Sequence, residues 1–494
     1  MINNAIISPI VARKEFMDFF GREEEIGDLM ALWSKRCGSL VTCRGRRRIG
    51  KSTLIEVFAQ RSKARFIRIE GVRPKSGFSD KTELTTFARE LSAQTRADDS
   101  TPDNWLKAFI RLDREINEKE RTVVLLDEVS WLGHYDETFA DLVKIAWDDY
   151  WSKHSRLIVV VCGSVSGWIK EHFVDNGAFY GRRSLDLVVK ELPLRECVKF
   201  WGRAATRVDT REIIDVLSVT GGVPRYLREI APGESAASNL ARLAFRPNSI
   251  LRIDFDEMFS DVITKLPTLS GKIVRALVDR PLSVSETATV VGVGKGGKIG
   301  EALEQLEEAG LVASDSGKNP DTGKSLREVR YRLKDNYARF YLRYIEPKKE
   351  IVDAGAYRFV SLDALDGWDT IMGLQFENLV LNHYPALVDP LRIGNSLIES
   401  AAPYSRMRKG DGDDGLQIDL LLQTKHNNYV VEIKRRREIG KEIIDEVDRK
   451  LKKLSTPRGK SARPVLVYDG HLAPVVEVDG YFDAIVPFRE LLGL

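Results

Sequence analysis

Three short apolar runs in the N-terminal part of the chain predict the strands of an α/β domain. The runs are Ser39–Cys43, Thr122–Leu126 and Leu157–Cys162, and helical patterns separate them. The first run is followed by a glycine-containing loop and by a helical pattern at Ser52–Gln60. Apolar strands that alternate with helices are typical of a parallel sheet covered by helices. The pattern therefore predicts an α/β domain over residues 1–205.

Four further segments are predicted beyond that domain. A helical pattern interrupted by Gly221–Pro224 predicts a helical lid. Three helical stretches, a polar turn at residues 317–325 and a strand-like segment at residues 329–333 are typical of a winged helix-turn-helix. A weakly patterned linker and a second α/β pattern follow. The lid, the winged helix-turn-helix, the linker and the C-terminal domain are predicted at residues 206–262, 263–347, 348–367 and 368–494.

Composition and charge narrow the class of protein without identifying a function. The 494 residues are enough for about three domains. The net charge of +3 gives no global argument for a nucleic-acid partner. The four cysteines form no Cys-x-x-Cys pair, so neither a disulfide framework nor a zinc site is predicted. No apolar run approaches the roughly 20 residues that cross a bilayer. Residues Met1–Arg13 also lack the basic segment followed by an apolar segment that is typical of a secretory signal. We therefore expect a cytoplasmic protein with no membrane partner.

The most specific motif is the loop that joins the first predicted strand to its helix. Gly45–Ser52 matches the pattern G-x-x-x-x-G-K-[ST]. In such a loop the backbone amides wrap phosphates, the lysine reaches the β- and γ-phosphates, and the hydroxyl binds magnesium. The motif predicts an ATP and Mg2+ site with Lys51 and Ser52 in these roles. The predicted nucleotide-contacting residues are Gly45, Arg46, Arg47, Arg48, Ile49, Gly50, Lys51, Ser52 and Thr53.

Two other predicted strands end in polar side chains that suit the same site. Asp127 and Glu128 follow the apolar run that begins at Thr122. An acidic residue leaving a buried strand can hold magnesium near the phosphates, and we assign that role to Asp127. Glu128 is the candidate that orients or deprotonates the attacking water, which predicts ATP hydrolysis. Ser164 ends another buried strand and is a candidate sensor of the γ-phosphate from a strand between the two motifs.

At these residues the chain resembles the archaeal-type branch of the prokaryotic AAA+/STAND-related P-loop ATPases. The resemblance covers roughly the first half of the chain. It rests on the two nucleotide motifs and on Phe19–Glu23, Gly163-Ser164, Tyr180–Arg183 and Gly221–Leu227.

The resemblance implies roles for residues outside the two motifs. It implies that Gly21 and Arg22 lie near the adenine and that Pro224 couples the nucleotide to the lid. Arg182 and Arg183 are candidates for an arginine finger, because a guanidinium can neutralise charge on the transferred phosphoryl group. A surface ion pair is the alternative role for these two arginines.

The predicted winged helix-turn-helix has an acidic candidate recognition helix. DNA-reading helices usually present basic or amide side chains to base edges. This one begins with Lys295 and Lys298, and its acidic residues are Glu301, Glu304, Glu307 and Glu308. We therefore favour an interdomain or protein-binding role for the module over contact with DNA.

The C-terminal domain carries a second candidate site. Residues 416–422 and 429–434 read as a hairpin, and period two puts Glu432 and Lys434 on one face. If Asp419 faces the same side, two carboxylates offer hard oxygen ligands to Mg2+ or Mn2+, and Lys434 can position an attacking water. Glu377, on a predicted helix, is a candidate for a further metal contact. This is chemistry that cuts phosphodiesters.

The arrangement of Glu377, Asp419 and Glu432-x-Lys434 resembles the PD-(D/E)XK nuclease superfamily. The resemblance implies a restriction-endonuclease-like α/β fold, although Gln417-Ile418 stand where the superfamily often has proline before the aspartate. The alternative interpretation is that these charged residues lie on a solvated face of the sheet, as charged residues on strands often do. Basic residues nearby predict contact with phosphates. They are Arg392, Arg406, Arg408, Lys409 and Arg435–Arg437.

The leading hypothesis is an ATPase whose nucleotide cycle controls a metal-dependent nuclease or another DNA-handling domain. The family resemblance alone suggests defence against foreign DNA or mobile elements. The main alternative is an ATP-driven switch that oligomerises or captures a partner, with a C-terminal domain that only binds. A transcription regulator is a third class, which the acidic helix disfavours.

Overall fold

The computed structural model describes residues 19–164, 166–263, 266–294, 297–357, 361–394, 396–406 and 415–494. The chain divides into two compact units. The first comprises Met1–Leu192 and Met258–Thr264, and the second comprises Pro193–Glu257 and Lys265–Leu494. In the part of the chain that the structure describes, no helix is both long enough and apolar enough to cross a membrane.

The first unit is built on a parallel five-stranded sheet, which confirms the predicted α/β class. The strands lie in the order β2-β3-β4-β1-β5. They are β1 (Ser39–Arg44), β2 (Arg65–Glu70), β3 (Thr122–Asp127), β4 (Leu157–Gly163) and β5 (Arg183–Val188). The three predicted runs are the central strands β1, β3 and β4. The edge strands β2 and β5 were not predicted, because their alternating polar and apolar residues give a weaker signal than a continuous apolar run.

Helices cover the sheet of the first unit. They are α1 (Glu23–Ala31), α2 (Lys51–Arg61), α3 (Asp80–Gln94), α4 (Trp105–Arg114), α5 (Val129–Leu132), α6 (Phe139–Asp149) and α7 (Ser166–Ile169). An aromatic cluster joins α3, α4 and α6, in which Trp105 packs edge-on against Phe87 and Phe139. All three rings are buried, and such pairs contribute about 0.5–1.5 kcal/mol beyond their area.

The segment after β5 is mainly helical as far as residue 276, and the assignment of residues 206–262 to a lid stays a prediction. Its helices are α8 (Leu194–Cys197), α9 (Thr210–Thr220), α10 (Pro224–Leu227), α11 (Ala236–Ala244), α12 (Ile250–Val262) and α13 (Pro267–Ala276). Pro224 opens α10, where its missing N–H leaves no hydrogen bond unmade.

The next segment has the helix and strand order that the sequence predicts, with a small antiparallel sheet in the order β6-β8-β7. Its elements are β6 (Leu282–Ser283), α14 (Val284–Val291), α15 (Gly297–Glu308), β7 (Val312–Asp315), β8 (Arg330–Leu333), α16 (Asn336–Phe340) and α17 (Lys349–Asp353). Ser283 caps α14 reciprocally with Glu286, which satisfies two backbone amides.

The C-terminal part is a mixed five-stranded sheet in the order β13-β12-β11-β10-β9. Strands β11, β12 and β13 are parallel, and β9, β10 and β11 are antiparallel. Its elements are α18 (Trp368–Asn382), β9 (Ile398–Arg406), β10 (Leu416–Thr424), β11 (Asn427–Ile439), α19 (Glu442–Lys453), β12 (Ser461–Leu472), α20 (Pro474–Val478), β13 (Ala484–Pro487) and α21 (Phe488–Leu492). The predicted hairpin is β10–β11.

Short 3-10 and π segments connect these elements. The 3-10 segments are Leu32–Ser34, Trp151–Lys153, Gly177–Phe179, Val198–Thr206, Glu346–Lys348, Leu362–Ala364 and Tyr384–Leu387. The π segments are Lys170–Val174 and Tyr341–Ile345.

Candidate functional site

The phosphate-binding loop lies between β1 and α2. Gly45 has φ +152°, and a Cβ atom there would lie 2.3 Å from the carbonyl oxygen of Val189. Gly50 precedes α2 with φ +89°. Both positions require glycine, one for a close backbone approach and one for its backbone conformation. The first amides of α2 have no intrahelical partner, so this end of the helix suits an anion.

Lys51 is held within the loop itself. Its side chain is buried, and Nζ donates hydrogen bonds to the carbonyl oxygens of Gly45 (3.0 Å) and Arg46 (3.1 Å). Ser52 and Thr53 follow in the first turn of α2. The ammonium group is therefore fixed beside the loop amides, where phosphate oxygens could replace the two carbonyl partners.

Arg22 braces the loop from the preceding segment. Its guanidinium donates to the carbonyl oxygens of Ile49 (3.3 Å) and Lys190 (2.6 Å), and its side chain is buried. Gly21 has φ +72°, a conformation that glycine adopts readily because it lacks a Cβ atom. The assignment of Gly21 and Arg22 to the adenine stays a prediction, whereas the support of the loop by Arg22 is a direct contact.

The three consecutive arginines of the loop lie in different surroundings. Arg46 is buried, with Nη1 3.9 Å from a carboxylate oxygen of Glu191. The guanidinium of Arg47 lies 5.9 Å from the ring centre of Trp131. Arg48 adopts φ +67°, which is uncommon for a residue with a Cβ atom. Arg47 thus has a cation–π partner and Arg46 has a charge partner, so neither is simply a solvated cation.

Asp127, Glu128 and Ser164 meet at the carboxyl ends of β3 and β4. Strand β4 lies between β1 and β3, as the sequence predicts for the strand that carries Ser164. The Ser164 hydroxyl donates to Glu128 Oε2 at 2.9 Å, and the Ser164 amide donates to the same oxygen at 3.3 Å. The two residues are therefore coupled, and Ser164 fixes the orientation of the Glu128 carboxylate.

Asp127 is almost fully buried, and both of its oxygens have partners. Oδ1 accepts a hydrogen bond from the Glu128 amide at 3.1 Å, and Oδ2 lies 2.8 Å from Nη2 of Arg68. The Ser52 hydroxyl and the Asp127 carboxylate are hard oxygen donors, so this donor set fits Mg2+. Arg68 was not predicted as a site residue because it lies on β2. The mixed polar and apolar residues of Arg65–Glu70 gave only a weak strand signal.

Arg182 and Arg183 make contacts within their own unit. Arg182 forms a two-point ion pair with Asp148, with Nε–Oδ1 at 2.6 Å and Nη2–Oδ2 at 2.9 Å. This pair holds the pKa of Asp148 below its usual value. Arg183 donates to the carbonyl oxygen of Val174 at 2.9 Å. These contacts favour the surface ion pair for Arg182, and the arginine-finger role stays a prediction.

The C-terminal candidate site forms where β10, β11 and α19 meet. Asp419 Oδ2 accepts a hydrogen bond from the Ile433 amide at 2.9 Å, which ties β10 to β11. Lys434 Nζ lies 2.7 Å from Glu432 Oε1, so the two side chains do share a face of β11. Glu432 is fully buried, and its carboxylate therefore needs a cation close by.

Two residues of α19 complete this cluster and were not predicted. Lys450 Nζ lies 2.6 Å from Glu432 Oε2 and 4.0 Å from Asp419 Oδ1. Glu446 Oε1 accepts a hydrogen bond from Lys434 at 2.9 Å. The amphipathic stretch Lys441–Leu454 predicts a helix that packs its apolar side on the sheet, and Ile443 and its apolar neighbours are indeed buried. The sequence signal that could have indicated the two polar residues is their spacing, because residues four apart, such as Glu446 and Lys450, lie on one face of a helix.

Burial and neighbouring charges shift the pKa values of the acidic residues in the cluster. Burial and then the charge of Asp419 raise the pKa of Glu377 to about 7. Burial raises the pKa of Asp419, against the opposing charge of Lys450. Burial and Asp419 also raise the pKa of Glu432. Glu446 differs, because hydrogen bonding from Lys434 outweighs its burial and lowers its pKa. The structure therefore brings Glu377 close enough to interact electrostatically with both predicted ligands.

The donor set of this cluster is smaller than a full metal cage. Among the residues that the structure describes, no three or more histidine, cysteine, aspartate or glutamate side chains are arranged to hold a metal ion together. Asp419 and Glu432 remain a pair of hard oxygen donors that fits Mg2+ or Mn2+ with further ligands from water. Glu377 does not join them as a third ligand.

A buried polar network fixes α18, which carries Glu377. Arg339 donates to Gln375 Oε1 at 2.8 Å, and Gln375 Nε2 donates to the carbonyl oxygen of Asn336 at 2.7 Å. Arg332 of β8 donates to Asn378. All five side chains are buried. The segment predicted as a winged helix-turn-helix therefore holds the helix of the C-terminal site in place.

The basic residues near this site divide into exposed and buried ones. Arg435 contradicts the prediction of phosphate contact, because its side chain is buried and paired with Asp215 and, at 3.6 Å, with Asp469. Arg436 and Arg437 are exposed and keep that predicted role. Arg392 is also exposed, and Arg406 is half-buried. Lys295, Arg408 and Lys409 lie outside the described residues.

Comparisons with known proteins find similarity in the N-terminal part of the chain. Residues 19–230 match a family described as an ATPase domain predominantly from Archaea. The uncharacterized protein MJECL04 of Methanocaldococcus jannaschii is 22% identical over 362 residues, which are 73% of this chain and 76% of that protein. The Walker-type ATPase PABY2304 of Pyrococcus abyssi is 17% identical, with a TM-score of 0.47 over 66% of this chain and 97% of that chain. The ORC2 protein of Aeropyrum pernix is 16% identical, with a TM-score of 0.45 over 68% of this chain and 94% of that chain. Residues 19–230 are therefore similar to an archaeal-type ATPase domain, and this match supports ATP binding by this part of the chain.

Proposed function

We propose that this protein hydrolyses ATP and uses the nucleotide cycle to control a metal-dependent nuclease site in its C-terminal domain. In the ATP site, Lys51 and the amides of α2 bind the phosphates, and Ser52 and Asp127 would hold Mg2+. Bound magnesium would neutralise charge on the phosphates. Glu128 orients and deprotonates the attacking water, and the hydrogen bond from Ser164 holds its carboxylate for that task.

The observation that carries the nuclease proposal is the cluster of Asp419, Glu432 and Lys434. It combines two hard oxygen donors with an ammonium group 2.7 Å from one of them. Asp419 and Glu432 would hold Mg2+ or Mn2+, and a bound ion would activate water and stabilise charge at a phosphodiester. Lys434 holds and orients the water at the scissile phosphate. The resemblance to the PD-(D/E)XK superfamily supports the same assignment.

The contact between Asp215 and Arg435 supports control of one site by the other. Asp215 lies on α9, within the segment that matches the ATPase family. Arg435 follows Lys434 directly on β11, and its buried guanidinium is paired with Asp215. A rearrangement of α9 during the nucleotide cycle would therefore act on the residue next to Lys434.

The intermediate segment fits a winged helix-turn-helix that connects domains instead of reading DNA. The Lys318 amide, in the turn between β7 and β8, donates to the Ser400 hydroxyl on β9 at 3.2 Å. Arg332 and Arg339 are buried against α18. These polar groups are already bonded within the second unit and do not face a duplex. We propose that DNA instead meets the surface around Arg436 and Arg437.

The test is cleavage of plasmid, linear and single-stranded DNA with Mg2+ or Mn2+, with and without ATP. Lys434→Ala is expected to abolish cutting, and Lys51→Ala is expected to abolish its dependence on ATP. Lys452→Ala is the matched control, because Lys452 is exposed on α19 and is not part of the cluster. Cutting that survives Lys434→Ala would refute the assigned site.

A second candidate function is a binding switch without cleavage. It is favoured by the pairing of both Asp419 and Glu432 with lysine ammonium groups, and by the lack of a third carboxylate ligand among the described residues. Calorimetric titration of Mn2+ separates the two functions. A nuclease requires binding that Asp419→Ala removes, whereas a scaffold requires none.

A further inference from the structure

We infer that Arg68 competes with Mg2+ for Asp127 and thereby sets the magnesium concentration at which the ATP site loads. This inference rests on the proposed Mg2+-dependent ATP site. It assigns to Arg68 a positioning role that neither the loop motif nor the acidic motif contains.

The first argument is the burial of Asp127. A buried carboxylate needs a cation or several hydrogen bonds. Lys51 is not the cation that neutralises Asp127, because its ammonium group donates hydrogen bonds to the carbonyl oxygens of Gly45 and Arg46. The Glu128 amide occupies Oδ1, and Arg68 occupies Oδ2 at 2.8 Å. Arg68 therefore supplies the positive charge that Asp127 needs when no metal is bound.

The second argument is that a nearby carboxylate can keep Arg68 when Asp127 releases it. Nη2 of Arg68 also lies 2.8 Å from Glu70 Oε2. Strands β2 and β3 pair Glu70 with Asp127, so Arg68, Glu70 and Asp127 share one face of the sheet. Arg68 is partly exposed, with 39% of its side-chain surface accessible, so it can turn toward Glu70 without disturbing the core.

Competition follows from charge. A divalent cation at Asp127, bound directly or through water, neutralises the carboxylate that attracts Arg68. One buried carboxylate does not stabilise an arginine and a divalent cation at full strength together. Magnesium binding therefore releases Arg68 from Asp127 and leaves it paired with Glu70, and removal of magnesium restores the contact with Asp127.

The experiment is a magnesium titration of the binding of a fluorescent ATP analogue by the full chain. Arg68→Ala is expected to lower the Mg2+ concentration at half-saturation by roughly three- to tenfold, as for the loss of one partly exposed ion pair. Affinity at saturating Mg2+ is expected to stay as in the wild type. Glu70→Gln is expected to shift half-saturation to higher Mg2+, because Arg68 then loses the carboxylate at 2.8 Å that competes with Asp127 for it.

Arg65→Ala is the matched control, since Arg65 lies on the same strand and donates to the carbonyl oxygen of Glu115 at 2.7 Å. Unchanged magnesium dependence in Arg68→Ala would overturn the inference. Loss of analogue affinity at saturating Mg2+ would also overturn it, because Arg68 would then contact the nucleotide. A wild-type chain that binds no analogue at any Mg2+ concentration would refute the ATP site itself, and the inference with it.

Discussion

Lys450 is the residue whose replacement tests the C-terminal cluster most directly. At an effective dielectric constant of about 20, its attraction to Glu432 across 2.6 Å is about 6 kcal/mol. Desolvation of the ammonium offsets part of this, and breaking one partner out of a buried ion pair typically costs about 3–5 kcal/mol. Lys434 remains beside Glu432 in the variant. We therefore expect Lys450→Met to destabilise the metal-free second unit by about 3 kcal/mol.

Scanning calorimetry of the full chain, with and without Mn2+, measures this effect. A loss of about 3 kcal/mol corresponds to a fall of roughly 5 °C in the melting temperature of a unit of this size. Mn2+ is expected to restore more stability to the variant than to the wild type, because Asp419 and Glu432 lose a competing cation. Lys452→Met, on the exposed face of α19, is expected to change neither value. A variant that melts as the wild type does without metal would refute the reasoning.

Three further predictions concern the first unit. Glu128→Gln is expected to retain binding of ATP while steady-state hydrolysis falls by about 10²-fold or more; an unchanged rate would remove Glu128 from its role. Gly45→Ala is expected to lower the melting temperature and to abolish nucleotide binding, because its Cβ would lie 2.3 Å from the Val189 carbonyl oxygen; normal binding would contradict the observed approach. Burial raises the pKa of Glu83 to about 7. The folded state therefore holds a proton that the unfolded state loses above about pH 4.5, and stability falls by about 3 kcal/mol between pH 4.5 and 7. Glu83→Gln is expected to reduce the fall in melting temperature over this pH range. A variant whose melting temperature falls as steeply as that of the wild type would contradict the assignment.

Motifs that are continuous in sequence were predictable, and so were strands buried on both faces. All the phosphate-binding residues of the loop lie within the eight positions Gly45–Ser52, and β1, β3 and β4 are mostly apolar and almost fully buried. The edge strand β2 alternates between buried and exposed positions, so its hydrophobic pattern did not distinguish it from a polar connection. The sequence therefore indicated the centre of the sheet and the loop above it, but not the strand that carries Arg68.

Contacts between distant segments were not predictable in the same way. Arg68 reaches Asp127 across a strand pairing, and Lys450 reaches Glu432 from a helix that the amphipathic pattern assigned to packing. The prediction for Arg435 was wrong for the same reason. A run of three arginines reads as a solvated basic surface, but its first member is buried against Asp215 of α9. Single-sequence patterns report the face on which a residue lies and do not report which partner covers it.

Both candidate sites meet the same physical requirement. Each buries a carboxylate that its proposed chemistry needs free for a metal ion, and each supplies a cation of the protein to that carboxylate: Arg68 to Asp127, and Lys450 to Glu432. An unpaired buried carboxylate would either destabilise the fold or bind a proton. The pairing therefore allows each domain to fold without metal and makes metal binding an exchange of one cation for another.

The affinity of each site for a divalent ion then depends on how readily the protein cation finds another partner. Arg68 has Glu70 at 2.8 Å, whereas the carboxylate near Lys450 that is not one of the two proposed metal ligands is Glu446, at 3.9 Å. We therefore expect the ATP site to exchange its cation more readily than the C-terminal site.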